Sequence, residues 1–421
     1  MRTSPGLSMH KEIRMNIITG GVTAPQGFET AVAKAGIKYE DRLDMALIYS
    51  KKSCRSAGLF TTNVVKAAPV TWSQRIVSSK GKIHAIIVNA GNANACTGEE
   101  GMAACIETAE LVSNALEISP DDVLIASTGV IGQQLPMEKV RAAIPTLTSS
   151  LSDTTEQGTL AAQAIKTTDI REKQIAVRFE VDGYTITIGG MAKGSGMIHP
   201  DMATMLAFIT TDAVISKKAM IKALKLSADA SYHMISVDGD TSTNDSVMML
   251  ANGMAGNHKI KDGSEAFDQF VEALTMVNVF LAKEIARDGE GATALIEMKV
   301  EGASSLDQAR ALAKSVIGSN LTKAAVAGHD ANWGRILCAM GYAGVSFDPA
   351  KVSLVFASET DELQIMEHGV AVDFDESKAS EILASGSVTI TANIHEGEVS
   401  ASAWGCDLTH GYIDINADYR S

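Results

Sequence analysis

Residues 193–213 read KGSGMIHPDMATMLAFITTDA. A cation and two glycines lead into a methionine-rich run, and the hydroxyl of Thr204 heads an apolar, strand-like segment. A hydroxyl is a weak nucleophile and needs a base. Threonine has one self-contained way to obtain one. If the peptide bond before it is cut, its own new α-amine lies within reach of its Oγ, and one residue supplies nucleophile and base together. An unaided cut requires Oγ of Thr204 to attack the carbonyl of Ala203. That demands a strained corner, which small residues and glycines permit. On type and spacing alone, a threonine ahead of an apolar run is more commonly a plain strand residue.

Acyl chemistry also needs donors for a developing oxyanion. The run STGVIG (127–132) offers Thr128 and Gly129 at the end of a strand-like stretch, although an ordinary strand-to-loop turn has the same appearance. Other motifs fail. VDGDTSTND (237–245) starts like a calcium loop, but the places that need Gly and Glu hold Thr243 and Met249. No GxSxG, HExxH or Walker A pattern occurs. His329 and Asp330 in GHDANWGR read as a capped turn before a helix rather than a metal site.

The elements that must position these residues follow from pattern. Residues 16–70 form a glycine-punctuated strand region. Helical spacing runs from Glu99 to Ile118 and stops at Ser119-Pro120. Residues 123–132 read as a strand with a glycine turn, and 157–169 as a helix ending in a Thr-Thr-Asp corner. Alternating runs around Asp182-Gly183 predict a hairpin over 174–190 that delivers the chain into the opening stretch. A strand over 205–210 follows. Ser216, Ser264 and Ser305 are expected to cap helices over 217–231, from 265 toward Gly289, and toward Gly318. Near 290–305 the texture shifts to helix, strand, helix, strand, which places a soft domain boundary there. Gly411 in THGY (409–412) reads as part of a strand.

At 421 residues the chain has room for two or three structural units, at roughly 100–200 residues each. Its hydrophobic content of 46% supports a large core, and its net charge of −14 argues against nucleic-acid or anionic-membrane partners. An anionic ligand would then need local devices such as a single lysine. Five cysteines without CxxC spacing argue against a disulfide scaffold or zinc site and suit a reducing cytosol. No run reaches the roughly 18 apolar residues of a membrane span. Residues 1–15 read as a loose tail, with a weak organellar transit stretch as the alternative.

The segment KGSGMIHPDMATML closely resembles the self-cleavage segment of the ArgJ-type ornithine acetyltransferases, also called glutamate N-acetyltransferases. GGVTAPQGF (20–28), GLFTTNVVKAAPV (58–70), VNAGNANACTG (88–98), STGVIG, VDGDTSTND, DGEGATAL (288–295), GHDANWGRI (328–336) and AWGCDLTHGYIDINADYRS (403–421) resemble blocks of that family in order. The resemblance runs from about residue 16 to the last residue.

It implies an α/β fold, a helix–sheet–sheet–helix sandwich like the N-terminal-nucleophile hydrolases, with a smaller α+β C-terminal domain. The corresponding division is a tail over 1–15, a catalytic sandwich over 16–295 and a C-terminal domain over 296–421. Cleavage between Ala203 and Thr204 would give an α chain, 1–203, and a β chain, 204–421, which assemble as an α2β2 heterotetramer in the cytoplasm. The implied reaction moves the acetyl group of N2-acetyl-L-ornithine through Thr204 to L-glutamate, in arginine biosynthesis, with no cofactor or metal. Use of acetyl-coenzyme A as a second donor stays open. Thr204 matches the nucleophile, and Thr128 and Gly129 the oxyanion hole. Lys193, Thr204, Glu290, Asn416 and Ser421 match substrate-binding positions, together with Thr167 or Thr168. Ser421 stands where the family often has Thr. The alternatives are a self-cleaving aminopeptidase that sends its acyl group to water, and an uncleaved binding protein.

Overall fold

The computed structural model describes residues 15–79, 82–199 and 205–417. Nine strands form one hydrogen-bonded sheet: β1 (Asn16–Ile18), β2 (Phe28–Ala33), β3 (Met45–Phe60), β4 (Ile83–Asn92), β5 (Val123–Val130), β6 (Lys173–Val181), β7 (Tyr184–Lys193), β8 (Leu206–Thr211) and, after the short β9 (Ile235–Ser236) of the second sheet, β10 (Ser246–Ala251). The order is β1-β6-β7-β8-β10-β3-β4-β5, with β2 on the other side of β3. Strand β3 joins two layers. Residues 45–49 of β3 pair with β2 and β4, whereas residues 55–60 pair with β10.

Side-chain alternation shows what each layer packs against. On β8, Leu206 and Phe208 join the apolar cluster of β2–β5, while Ala207 and Ile209 join the cluster under helices α5 (Lys217–Asp229) and α6 (Glu265–Arg287). Met248 and Leu250 of β10 divide from Val247 and Met249 in the same way. Strands buried on both faces read as unbroken apolar runs, as LAFITT and SVMMLA do. The other layer is covered by α1 (Ala68–Ser78), α2 (Gly98–Leu116), α3 (Met137–Ser149) and α4 (Thr155–Ala164). The α/β class expected from the sequence is what the structure shows.

Local signals act as expected. Asp182 (φ 53°) and Gly183 (φ 82°) make the β6–β7 turn with both residues left-handed, which suits the strands' twist. The hydroxyls of Ser216, Ser264 and Ser305 accept from Ala219, Phe267 and Gln308 amides and start α5, α6 and α7 (Leu306–Ile317). Helix α6 buries Phe270, Leu274, Val277, Leu281 and Ile285 at helical spacing. It sits on Gly190 of β7, where a Cβ would come within 2.8 Å of Val277 and 2.9 Å of Leu281. That seating aims the end of α6 at the cavity described below.

The second sheet contains β9, β11 (Leu295–Ala303), β12 (Ser353–Ala357), β13 (Glu362–Glu367), β14 (Val370–Ala371), β15 (Ser387–Asn393) and β16 (Val399–Cys406) in the order β14-β13-β12-β15-β11-β16-β9. Its core is continuous with the cluster under α6. Helices α8 (Asn320–Ala327) and α9 (Trp333–Gly341) are joined by a turn with His329 at φ 54°, and Asn332 caps α9. Helix α10 (Glu376–Leu383) precedes β15. Among the described residues, no helix is long and apolar enough to cross a membrane.

One expectation is overturned. Gly411 lies in a helix, α11 (His410–Ala417), not a strand. Thr409 Oγ1 accepts the Gly411 amide at 3.1 Å and starts the helix. The glycine serves close approach: a Cβ at Gly291 would strike Tyr412 N and Gly411, and one at Gly411 would come within 3.1 Å of Gly291 Cα. The alternation in GYIDI mimics a strand, but tertiary packing decides.

Candidate active site

A cavity of about 440 Å³ gathers Thr128, Gly129, Thr167, Thr168, Lys193, Glu290 and Asn416. These are all the expected site residues within the described part of the chain. Ala203, Thr204 and Ser421 lie outside the described residues. Met205, the residue after Thr204, lines the same cavity. Strands β7 and β8 are antiparallel neighbours and Lys193 pairs with Leu206, so the end of one strand and the start of the next meet at this wall.

Strand β5 delivers Thr128 and Gly129. Gly129 has φ 135°, and a Cβ there would run into the backbone of Gly91 and Asn92. Asn92 opposes both Thr128 and Val130, a bulge that breaks the ladder at the cavity. Asn244 holds this corner from the far side. Its Nδ2 donates to Ala93 O at 2.6 Å and Ser127 O at 2.8 Å. Behind it, Ser127 Oγ donates to Asn89 Oδ1 at 2.6 Å.

Lys193 belongs to a buried chain of charges. Its Nζ donates to Thr167 Oγ1 at 2.8 Å and lies 3.7 Å from Asp169. Asp169 accepts from Lys173 Nζ at 2.7 Å, from Gly194 N at 2.7 Å and from Thr167 N at 3.0 Å. Lys173 also donates to Asp288 at 2.6 Å, and Asp288 accepts the Ile170 amide. Burial alone would raise the Asp169 carboxyl, but Lys193 and Lys173 outweigh it and hold the group well below the usual carboxylate range. The same bonds shape the corner after α4. The threonine pair is thereby divided: Thr167 faces Lys193, whereas the Thr168 hydroxyl shares a 2.7 Å hydrogen bond with Ser195.

Glu290 forms the opposite wall. It is buried, its amide donates to Ser195 O at 2.8 Å, and its carboxylate rests on Gly196, where a Cβ would collide with it. Asn416 Nδ2 donates to Glu290 Oε2 at 2.7 Å. One turn earlier on α11, the Tyr412 hydroxyl donates to Asp238 at 3.3 Å. Burial, and then the carboxylates of Asp238 and Glu290, push the Tyr412 phenol above its ordinary range, so it stays a donor. Asp238 also accepts the amides of Met197 and Ile198 at 2.6 and 2.8 Å. The loop that failed as a calcium site thus clamps the segment leading to Ala203. Among the described residues no group of three or more His, Cys, Asp or Glu could hold a metal ion, and all five cysteines are free.

Sequence reasoning named seven of the cavity-lining residues but missed Asn244 among them, and around the cavity it missed Asp169, Lys173, Asp288, Asp238 and Tyr412. Most of these stand within the quoted blocks or beside the Thr pair, yet nothing in their spacing tells a buried charge from a solvated one.

A family model described as the ArgJ family matches residues 29–421. The chain belongs to this family. It is 53% identical over 409 residues to the arginine biosynthesis bifunctional protein ArgJ of Symbiobacterium thermophilum, covering 97% of this chain and 100% of that protein. To the ArgJ protein of Thermotoga neapolitana it is 48% identical over 398 residues, 94% of this chain and 99% of the relative. Among solved structures, an ArgJ protein from Bacillus halodurans is 41% identical with a TM-score of 0.49, covering 51% of this chain and 99% of that one.

Two substitutions test the geometry. Asp169→Asn places an amide where Lys173, Lys193 and two backbone amides all need an acceptor. We expect a loss of about 3–5 kcal/mol, as for other broken buried pairs, read as a lowered melting temperature. Because the folded carboxyl is held below its unfolded value near 4, its stabilisation is present at neutral pH and lost as pH falls below that value. The variant should therefore have a shallower acid limb of stability. Gly129→Ala should displace the β4–β5 bulge, read as a change in the amide NMR shifts of residues 91–92 and 128–130.

Proposed function

We propose that this chain is a self-cleaving acetyltransferase of arginine biosynthesis, working through Thr204 in the cytoplasm. The observation that carries the reading is the cavity itself. Seven residues expected to act on acetyl-ornithine and glutamate line one space, next to the strand that Thr204 precedes.

In the proposed maturation, Thr204 Oγ attacks the Ala203 carbonyl carbon, the C–N bond breaks and an ester forms. Breaking that bond frees the Thr204 α-amine, and water then cleaves the ester to give the Ala203 carboxylate and the free Thr204 hydroxyl. In the transfer reaction that amine takes the Oγ proton as Oγ bonds to the acetyl carbon of N2-acetyl-L-ornithine. The amide C–N bond breaks and the proton passes to the departing ornithine nitrogen. Thr128 and Gly129 stabilise the oxyanion. The amine of L-glutamate then attacks the acetyl-threonine ester, the acyl C–Oγ bond breaks, and the proton shed by that nitrogen returns to Thr204 Oγ through the α-amine, giving N-acetyl-L-glutamate and the free enzyme. Lys193 holds the substrate carboxylate and Glu290 the ornithine ammonium, with Asn416 orienting Glu290 and Ser421 as a further substrate-binding residue. Thr167, which shares Lys193's hydrogen bond, is the substrate threonine, and Thr168 supports the loop through Ser195.

The sheet pairing supports a cleaved but undivided protein. Strand β8 of the β chain would keep six residue pairs with β7 of the α chain, and β10 six with β3. A pair of such units as an α2β2 heterotetramer is the assembly we propose.

Mass spectrometry under denaturing conditions tests the nucleophile. Two chains matching 1–203 and 204–421 are expected, and Thr204→Ala should leave one chain of 44.3 kDa. Acetyl-ornithine supplied with and without glutamate then separates transfer from hydrolysis: ornithine release that ignores glutamate would sink the transferase reading. Thr167→Val should raise the KM for acetyl-ornithine by about tenfold or more, the effect of one hydrogen bond in a charged network, and Thr168→Val by less.

A further inference from the structure

The residues leading into β10 touch both halves of the proposed reaction centre. Asn244 is buried, lines the cavity and takes no part in the chemistry above. Its Nδ2 donates to Ser127 O and Ala93 O, and Ser127 precedes Thr128 directly. Two residues further on, the Ser246 amide donates to Met205 O, and Ser246 pairs with Leu206 in the parallel β8–β10 ladder. Met205 in turn follows Thr204. The tripeptide Asn244-Asp245-Ser246 therefore carries the oxyanion corner at one end and the start of the nucleophile's strand at the other.

The tripeptide is itself pinned. Asp245 O accepts the Thr61 amide and Thr243 O the Ala67 amide, both at 3.0 Å, and Ser246 Oγ donates to Asn244 O at 3.0 Å. The side-chain amide is oriented as well. Thr243 Oγ1 donates to Asn244 Oδ1 at 2.6 Å, which turns the amide nitrogen toward two carbonyl oxygens that can only accept. A trans peptide is planar, with its C=O and N–H pointing opposite ways, so fixing Ser127 O fixes the direction of the Thr128 N–H. The second bond acts on the other flank. Ala93 N donates to Val130 O at 3.0 Å, so Asn244 holds Ser127 directly and Val130 through Ala93, and the two bracket Thr128 and Gly129.

We propose that Asn244 is a positioning residue of the acyl transfer, which sets the Thr128-Gly129 backbone against the nucleophile's strand so that the developing oxyanion meets donors already in place. This rests on the acetyl-transfer reading above. Fixed donors are effective because they need not turn at the moment of reaction. A misplacement of about 1 Å can cost about a hundredfold in rate. A side chain acting this way favours the transition state over bound substrate, so its loss shows in kcat and not in KM. Asparagine suits the task, with two donors on one nitrogen and a neighbouring oxygen by which Thr243 holds it. An ionised aspartate in its place would turn an acceptor toward two carbonyl oxygens.

The test uses the full-length protein with Asn244→Ala and the milder Thr243→Val, which keeps both Asn244 donors but frees their amide to turn. Cut chains are counted by mass spectrometry and rates are expressed per cut chain, which separates slow maturation from slow transfer. Melting temperatures are recorded, and ornithine release from acetyl-ornithine in the presence of glutamate is followed well below them. In Asn244→Ala, kcat should fall about 10- to 100-fold while the acetyl-ornithine KM changes by less than about twofold. Thr243→Val should lower kcat about three- to tenfold, the worth of one hydrogen bond, with KM again unchanged. If Asn244→Ala stays uncut, Thr243→Val decides alone. A purely structural asparagine would lower the melting temperature and leave kcat per cut chain within about twofold, and that result overturns the proposal. So does a raised KM at unchanged kcat, or a Thr243→Val protein that is never cut. A wild type that transfers no acetyl group would instead bring down the underlying reading, and the positioning role with it.

Discussion

A buried chain of alternating charges holds this site together. Asp288 closes α6, Lys173 opens β6, Asp169 ends the corner after α4, and Lys193 ends β7. Each charge would be costly alone in a dry interior, where desolvation takes several kcal/mol per ion. Alternation makes the cost bearable, because each carboxylate lies against an ammonium and further amides. The chain also fixes geometry. Asp169 must accept from Thr167 N and Gly194 N at once, so the threonine corner and the glycine-rich loop cannot move independently. Lys193 and Thr167 are therefore both set by one carboxylate that does not itself line the cavity.

The C-terminal helix provides a second constraint of the same kind. On α11, Tyr412 and Asn416 are spaced by four residues and so share a face. One reaches Asp238, which clamps Met197 and Ile198, and the other reaches Glu290. A helix bonded to two walls couples them. Close contact between Gly291 and Gly411 lets it come near enough to do so. The long separation in sequence between Glu290 and Asn416 is the reason that fold and site are built together, and why the second sheet is no mere appendage. Its core runs unbroken into the cluster beneath α6, whose end carries Asp288 and Glu290.

Local elements were legible because their causes are local. Serine caps, the Asp182-Gly183 turn and the apolar runs of β8 and β10 each need only a few neighbouring residues to declare themselves. The lining residues of the cavity became legible through resemblance, since a lone Thr204 or Glu290 has no distinguishing pattern. The supporting charges were not legible at all. Asp169 and Lys173 look like any solvated pair four residues apart, and only the folded chain reveals that both are fully buried. Gly411 was misread for a related reason. A short segment with alternating apolar residues fits strand or helix, and contact with Gly291 settles the choice.

The cleavage reading asks for a backbone held under tension, and the described residues around it are anchored on both sides. Upstream, Ile198 donates to Asp238, accepts from Val237 N at 2.7 Å and bridges Thr241. Downstream, Met205 O accepts from Ser246 N at 3.0 Å and Leu206 pairs with Lys193. A connection between two pinned ends cannot relax by sliding, because sliding by one residue would turn Leu206 and Phe208 out of one core and Ala207 and Ile209 out of the other. The register of β8 is thus enforced by two hydrophobic clusters at once. The same pairing would then retain both products in the sheet. A core built for stability would in this way let the proposed cut be made without the fold coming apart.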